Sequence, residues 1–159
     1  MQNMAGKTPS QSRTEMVQII YSSHINGSKR LFGGKLMEWI DTVGAVVARR
    51  HSGREVTTVA VDNLQFKEGV MLNSTIVIIG TITYTGNTSM EVRVDTYVEG
   101  LTGTRRKVNQ AYLVFVALDE FGRPTPVPPV IPETDEEKAE YEAAKLRQEL
   151  RLKRRKENY

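Results

Sequence analysis

A long and strongly apolar helix is the sequence feature that most restricts how this chain can fold. Between Arg30 and His51 the apolar residues return every three or four positions, which is the spacing of a helix that faces a core: Leu36, Met37, Ile40, Val43, Gly44, Val47 and Ala48. Trp39 and Val46 widen this stripe. The pattern therefore predicts a helix that is buried on most of its sides. It is expected to end near Ser52-Gly53, where Gly53 can adopt the left-handed cap conformation.

One aspartate, Asp41, lies at the edge of the apolar stripe. Small residues follow it at the positions that face the same side of the helix, Gly44, Ala45 and Ala48. A glycine inside a helix costs about 1 kcal/mol relative to alanine, which indicates that something approaches closely there. A carboxylate beside a shallow apolar patch suits a long thin ligand. A hydrogen-bonded structural aspartate fits the same pattern, and the residues alone leave both interpretations open.

A pair of glycines, Gly33 and Gly34, begins the helix. Without side chains, they leave the first backbone N–H groups accessible. Such groups stabilise an oxyanion or a polarised carbonyl. A tight entry turn is the alternative interpretation of this pair.

Composition excludes several kinds of chemistry. The chain has 159 residues, which suits one domain, and it has no cysteine, so thiol nucleophiles, disulfides and zinc–thiolate sites are excluded. Its two histidines are too few for a convincing metal cluster, and His51 is expected to complement the dipole at the helix C-terminus. No apolar run suggests a signal peptide or a membrane span, and we expect a cytoplasmic protein without a membrane contact.

The rest of the chain is predicted to form mostly strands. The predicted strands are Met16–Tyr21, Val56–Phe66 with a bulge at Asp62-Asn63, Thr75–Tyr84, Ser89–Glu99 and Val108–Leu118. The last three are joined by turns and are predicted to form a meander. One apolar helix with one sheet to pack on predicts an α+β fold in which an antiparallel sheet wraps around the helix. We expect a disordered segment 1–13, a domain 14–132, and a charged C-terminal helix 133–159 that begins with a cap at Thr134.

Several segments resemble one known family. The stretch RLFGGKLMEWIDTVGAVVARRH is similar to the central helix of the hotdog-fold acyl-CoA thioesterases, the acyl-CoA hydrolase family, and the similarity continues through VTTVAVDNLQFKEGV, GNTSMEVRV and PVPPVIPETDEEK. It extends over residues 15–138. The resemblance implies a hotdog fold, hydrolysis of acyl-CoA to fatty acid and CoA, and no cofactor beyond the CoA of the substrate. It also implies a homodimer with shared sites, assembled as a trimer of dimers.

The resemblance assigns roles to residues of the helix and its approach. Asp41 matches the catalytic aspartate, acting either as general base or as nucleophile. Gly34 matches the residue whose N–H polarises the thioester carbonyl, with Gly33 beside it. The family often has Asn or Asp directly before the glycine pair; here the nearest equivalents are Asn26 and Arg30. Asn26 is the candidate for orienting the water from the facing subunit, and a structural role in its Asn-Gly turn is the alternative.

The same resemblance places four further residues at the CoA entrance: Asn63, Asn87, Thr88 and Ser89. Each also fits a turn or a strand edge.

Three other functions compete with hydrolysis. A non-catalytic acyl-CoA sensor would lack the helix carboxylate, and a hotdog dehydratase would place a histidine with an acid at the helix. Nucleic-acid binding by the basic C-terminal tail is not expected, because aromatic residues are not interleaved with its charges.

Overall fold

The computed structural model describes residues 4–158, which form two long helices and one five-stranded sheet. The helices are α1 (Gly33–Ser52) and α2 (Asp135–Lys156), and the strands are β1 (Thr14–Ile19), β2 (Glu55–Asp62), β3 (Thr75–Thr85), β4 (Ser89–Glu99) and β5 (Arg105–Leu118). Short 3-10 turns span Pro9–Gln11 and Ser22–His24. No described helix is both long and apolar enough to cross a membrane.

All neighbouring strands are antiparallel, in the order β1-β3-β4-β5-β2. α1 contacts every one of the five strands, so the sheet curls around it and encloses the core. The predicted hotdog fold, with a sheet wrapped around one central helix and a further C-terminal helix, is confirmed. β5 lies inside the sheet, between β4 and β2. The edges of the sheet are β1 and β2.

The glycine in the middle of α1 has a structural explanation. The side chain of Phe115, on β5, approaches so closely that a Cβ placed on Gly44 would lie 2.9 Å from its ring. The close neighbour inferred from the sequence is thus a core side chain of the same chain. At the end of the helix Gly53 adopts the left-handed conformation, with φ of 68°, as the predicted cap requires.

The bulge in β2 lies earlier than the sequence suggested. Pairing with β5 shifts between Thr58 and Ala60, so the bulge is at Val59 and not at Asp62-Asn63. The strand ends at Asp62, and Asn63 follows it with a φ of 57°. The slip in the apolar pattern after Val61 therefore marks the end of the strand and a left-handed turn residue.

The predicted disordered segment 1–13 differs from the structure. Residues 1–3 lie outside the described part of the chain. Lys7 pairs with the proline-rich strap 124–132 through its N–H to the Pro129 carbonyl (3.0 Å) and its carbonyl from the Ile131 N–H (2.8 Å). Pro9, in the following 3-10 turn, is buried. Backbone hydrogen bonds hold this segment in place. They require no apolar run, so the sequence gives no sign of this structure.

His51 is buried at the end of α1 and does not serve the helix dipole. Its Nε2 lies 2.7 Å from the Pro128 carbonyl. Burial is the main reason that its pKa is lowered; the hydrogen bond to Pro128 opposes this effect, and the charge of Lys7 adds to it. His51 is therefore neutral near pH 7, and the expected interaction of a histidine cation with the dipole is wrong.

The C-terminal helix packs on the face of the sheet opposite α1. The side-chain oxygen of Thr134 accepts a hydrogen bond from the Glu137 N–H, as the predicted cap requires. The helix is attached mainly through ions: Arg147 and Arg151 both bind Glu91, a carboxylate on β4 that is 1% exposed. This face therefore carries a buried ionic cluster, while the face toward α1 carries the apolar core.

Candidate active site

A hydrogen bond between α1 and β2 marks the candidate site. The hydroxyl of Thr58 donates to Oδ1 of Asp41 at 2.7 Å. Asp41 is half-buried at the rim of the apolar stripe, so its carboxylate has one oxygen held and one side open to solvent. The sequence reasoning missed Thr58, although a polar residue on the side of β2 that packs against α1 was a usable signal.

A cavity of about 340 Å³ opens beside this pair of residues. Its polar lining residues are Glu38, Asp41 and Thr58, and its apolar lining residues are Met37, Ile40, Val61, Leu64 and Leu113. Ile40 and Leu113 are each 1% exposed and close the floor toward the core. The cavity therefore suits an extended apolar chain whose polar end lies beside a carboxylate.

The N-terminus of α1 borders the same cavity through Gly34. The Phe32 carbonyl accepts hydrogen bonds from the N–H groups of Lys35 and Leu36, at 3.0 and 3.2 Å. Within residues 4–158, no hydrogen bond engages the N–H of Gly33 or Gly34. These free donors lie at the positive end of the helix dipole, where they favour a developing negative charge on an oxygen.

Gly34 and Asp41 are seven positions apart, which places them on the same side of α1. The rise between them is about 10 Å along the helix axis. The side chain of Asp41 points back toward the N-terminus, as helical side chains do, and this shortens the gap. The predicted donor and the predicted carboxylate both line this cavity.

Asn26 does not line the Asp41 cavity of its own chain. Its side-chain oxygen accepts hydrogen bonds from the N–H groups of Ser28 (2.9 Å) and Arg30 (3.3 Å), and its own N–H donates to the Arg30 carbonyl (2.8 Å). These contacts close the turn before the helix. The residue is exposed, and its side-chain oxygen is engaged within its own turn.

The three residues of the β3–β4 turn also lie apart from Asp41. The carbonyls of Asn87 and Thr88 accept backbone hydrogen bonds from Val127 (2.9 Å) and Ala117 (3.0 Å). Thr88 and Ser89 line a groove of about 490 Å³ between β2, β5 and α2. This groove is on the sheet face opposite α1. Within one chain, Thr88 and Ser89 are thus separated from the carboxylate by the sheet, and Asn87 does not line the Asp41 cavity.

Basic side chains from α2 form one wall of this groove: Arg151, Arg154 and Arg155. Arg151 binds Glu91 at 2.8 Å and Asp62 at 3.1 Å, and Arg154 binds Asp62 at 3.2 Å. In the described part of the chain Arg155 has no ion pair, so its charge is available to a ligand.

Asn63 lines a separate cavity of about 250 Å³ where β2 ends. Lys67 and Lys107 also line this cavity, so its rim is cationic. Asn109 lies at its wall, 2% exposed, and donates from its side-chain amide to the Gln65 carbonyl. Among residues 4–158, no three His, Asp or Glu side chains are arranged to hold a metal ion.

Three comparisons with known proteins find similar chains. The family model described as "Thioesterase superfamily" matches residues 29–103. The chain is 38% identical, over 128 residues, to the uncharacterized acyl-CoA thioester hydrolase YkhA of Bacillus subtilis; the match spans 80% of this chain and 74% of YkhA. The likeness therefore extends well beyond the helix and its cavity.

Solved structures show the same likeness. The acyl-CoA hydrolase of Staphylococcus aureus, in complex with butyryl-CoA, CoA and CoA disulfide, superposes with a TM-score of 0.91 at 33% identity, over 96% of this chain and 93% of that one. An apo-hexameric acyl-CoA thioesterase superposes with a TM-score of 0.91 at 37% identity, over 95% and 97% of the two chains.

Proposed function

This chain belongs to the thioesterase superfamily, and we propose that it hydrolyses acyl-CoA thioesters to a fatty acid and CoA at the cavity beside Asp41. One observation carries the location: the Asp41 carboxylate, hydrogen-bonded by Thr58, shares an apolar cavity with the open N-terminus of α1. Hydrolysis of an activated thioester needs a base or nucleophile and an oxyanion donor, and this cavity holds both.

The helix N-terminus binds the thioester carbonyl. The carbonyl oxygen accepts from the Gly34 N–H, with Gly33 adjacent, and the acyl chain extends along the apolar lining toward Leu64. As the carbonyl carbon becomes tetrahedral, its oxygen gains negative charge. The free N–H and the helix dipole stabilise that charge, an effect typically worth about 10²–10³-fold in rate.

Asp41 supplies the second part of the chemistry. As a general base it takes a proton from water while the water oxygen bonds to the carbonyl carbon; the C–S bond then breaks and the CoA thiolate recovers the proton. As a nucleophile its carboxylate oxygen bonds to the carbonyl carbon and the C–S bond breaks, which releases CoA thiolate and leaves an acyl-aspartyl anhydride; water then hydrolyses the anhydride and the thiolate takes up a proton. Thr58 positions the carboxylate in both routes. A single turnover in ¹⁸O-water that leaves ¹⁸O on the Asp41 peptide identifies the nucleophilic route, because the general base gains no oxygen from water.

Residues away from this cavity serve a site that two subunits share. Asn26 is exposed and lies outside the Asp41 cavity of its own chain, so we place its amide at the water in the site of the facing subunit. For the same reason Asn87, Thr88 and Ser89, with Arg155 beside the last two, contact the CoA of a substrate bound in another subunit. Asn63, with Lys67 and Lys107 near it, is the further CoA contact.

The assembly follows from this sharing of residues. We place two copies in a homodimer and three dimers in a hexamer, which is the state named for one of the similar structures. A cytoplasmic location and the absence of a cofactor other than the substrate's CoA stay predictions from the sequence. Size-exclusion chromatography with light scattering tests the assembly, and a monodisperse monomer at micromolar concentration would contradict it.

The experiment that tests the function is a panel of acyl-CoAs from acetyl to palmitoyl, monitored for free CoA thiol. Because the chain has no cysteine, a thiol reagent reports only the CoA that is released. Asp41→Asn is the matched control. Turnover by the wild-type protein that Asp41→Asn lacks supports the proposal. Tight acyl-CoA binding without thiol release from any member of the panel supports the alternative, a non-catalytic sensor.

A further inference from the structure

Asn109 is a buried polar residue in the layer of the sheet that faces α1. Strands β4 and β5 contribute apolar pairs to this layer, such as Val94 with Ala111, both fully buried. The next pair along the strands is Thr96 with Asn109, which are 0% and 2% exposed. Because side chains alternate between the two faces of a strand, this pair faces α1 as Val94 and Ala111 do. Two polar side chains therefore occupy positions that suit apolar ones.

The core does not satisfy all the polar atoms of this pair. Within residues 4–158, Oδ1 of Asn109 and Oγ1 of Thr96 have no hydrogen-bond partner. A buried polar atom without a partner lowers the stability of the fold, and an apolar side chain of similar shape avoids that cost. Packing within the core therefore does not explain an asparagine at position 109, and the contact of its amide nitrogen has to.

The amide nitrogen of Asn109 holds the segment 63–69, which follows β2. It donates a hydrogen bond to the backbone carbonyl of Gln65. Among the described residues, no other hydrogen bond engages the segment 63–69. One ion pair also reaches it, between Glu68 and Arg106, but these side chains are 46% and 59% exposed, and exposed ion pairs contribute little. The buried amide of Asn109 is therefore the main polar anchor of the segment.

The two residues that flank Gln65 reach the candidate active site. Leu64 lines the Asp41 cavity. Phe66 lies against the beginning of α1, where a Cβ placed on Gly33 would be 3.5 Å from its ring. Because the peptide unit is planar and rigid, holding the Gln65 carbonyl restricts the backbone on both sides of it. The hydrogen bond from Asn109 therefore restricts the positions of Leu64 and Phe66 together.

We propose that Asn109 is a positioning residue for acyl-CoA hydrolysis, an inference that rests on the proposed function. By holding the Gln65 carbonyl, it places Leu64 against the acyl chain and Phe66 against the helix entry that binds the thioester carbonyl. Asn109 itself does not line the Asp41 cavity, so it acts only through the segment 63–69. The stability lost by burying its unpartnered oxygen is the cost of this anchor.

The first experiment separates positioning from stability. Asn109→Leu keeps a similar shape and removes the unpartnered oxygen together with the donor, so we expect Tm to stay unchanged or to rise. We expect kcat/KM across the acyl-CoA panel to fall about tenfold, because small misplacements around a reacting group are costly. Asn109→Ala, which is too small to clash, should show a similar loss of kcat/KM. Wild-type kcat/KM in Asn109→Ala, or a loss in Asn109→Leu that comes with a lower Tm, would overturn the proposal.

Arg106→Gln is the matched control, because it removes the exposed ion pair to the same segment and leaves the buried hydrogen bond intact. We expect its kcat/KM to stay close to that of the wild-type protein. A loss as large as that of Asn109→Leu would contradict the assignment of the anchor to Asn109.

A spin label tests the anchor without catalysis. The chain has no cysteine, so Gln65→Cys carries a single nitroxide on an exposed side chain and retains the backbone carbonyl that Asn109 binds. We expect the mobility of the nitroxide to rise when Asn109→Leu is added and to stay unchanged when Arg106→Gln is added. Unchanged mobility with Asn109→Leu would overturn the proposal. Increased mobility in a protein whose wild type releases no thiol would contradict the proposed function and not the anchor.

Discussion

Thr58 and Asp41 are joined by a hydrogen bond of 2.7 Å from the Thr58 hydroxyl to Oδ1 of the carboxylate. This contact connects the edge strand β2 to the central helix at the mouth of the apolar cavity. It lies directly before the bulge at Val59, so the irregularity of the strand adjoins the residue that holds the carboxylate. The orientation of Asp41 therefore depends on the local shape of β2.

Replacing Asp41 by asparagine tests the proposed chemistry. Asp41→Asn keeps the size of the side chain and an oxygen that accepts from Thr58, but it removes both the base and the nucleophile. We expect kcat to fall by at least about 10²-fold, the lower range for loss of a general base, with Tm unchanged. Measuring kcat, KM and Tm on this variant is decisive: a folded protein with nearly normal kcat would refute the mechanism.

Thr58 is expected to act through Asp41. Thr58→Val keeps the shape but removes the hydroxyl, and a hydrogen bond to a charged group is worth about 1.5–3 kcal/mol. We therefore expect kcat to fall by about tenfold or more while KM changes little. Thr58→Ser restores the donor and should recover most of the rate. Equal losses in both variants would assign the effect to packing.

Asn26 is predicted to act in the site of the facing subunit. If so, Asn26→Ala and Asp41→Asn proteins are each nearly inactive alone, but a mixed dimer contains one site with both residues intact. Co-expression with two tags and purification of the mixed species should recover up to about half of the wild-type turnover per dimer. Mixed dimers as inactive as either parent would place both residues in the site of one subunit. An active Asn26→Ala protein would show that Asn26 has only a structural role in its turn.

Two arginines near the end of α2 are predicted to have different roles, Arg151 in stability and Arg155 in substrate binding. Arg151 binds Glu91 and Asp62, both largely buried, so Arg151→Ala should lower the free energy of unfolding by about 2–3 kcal/mol. Arg155 has no ion pair in the described residues, so Arg155→Ala should leave stability unchanged and raise KM for acyl-CoA, with the effect shrinking as salt is added. A KM for Arg155→Ala equal to that of the wild-type protein at low ionic strength would exclude a contact between Arg155 and the phosphates of CoA.

His51 should make stability depend on pH. Its pKa is lowered from 6.5, above all by burial, so below about pH 6.5 the unfolded chain binds a proton that the folded chain does not. Stability contributed by the neutral form is therefore present above pH 6.5 and is lost as the pH falls toward the lowered value. Lys7, whose amino group donates to the Arg50 carbonyl, adds to the cost of a second positive charge here.

The matched variant is His51→Gln, which retains a donor for the Pro128 carbonyl but does not titrate. The slope of Tm between pH 7 and pH 5 should be steeper in the wild-type protein than in His51→Gln. Parallel curves would assign the acid sensitivity to other groups.

Glu140 also contributes in acid: burial raises its pKa, but the Tyr112 hydroxyl and the charges of Arg147 and Arg93 outweigh this and hold the pKa below its ordinary value.

Local patterns were sufficient for much of the fold. The period of the apolar residues predicted α1 and its buried side, and Gly53 and Thr134 marked a helix end and a helix start because cap chemistry involves only neighbouring residues. The three-strand meander followed from alternation and turn residues. The bulge was predicted at the wrong position because the end of a strand and a bulge shift the alternation of apolar residues in the same way. Only the pairing of β2 with β5 distinguishes the two.

The sequence by itself determined the residues that share one helix: the spacing of Gly34 and Asp41 places donor and carboxylate on the same side of α1 in any fold that keeps the helix. Only the tertiary structure decided what meets that side. Thr58 reaches Asp41 from 17 positions away, and Thr88 and Ser89 lie across the sheet, because the curl of the sheet and the order of its strands set these distances. Contacts between distant segments depend on how whole elements pack, and no local period of the sequence records that packing.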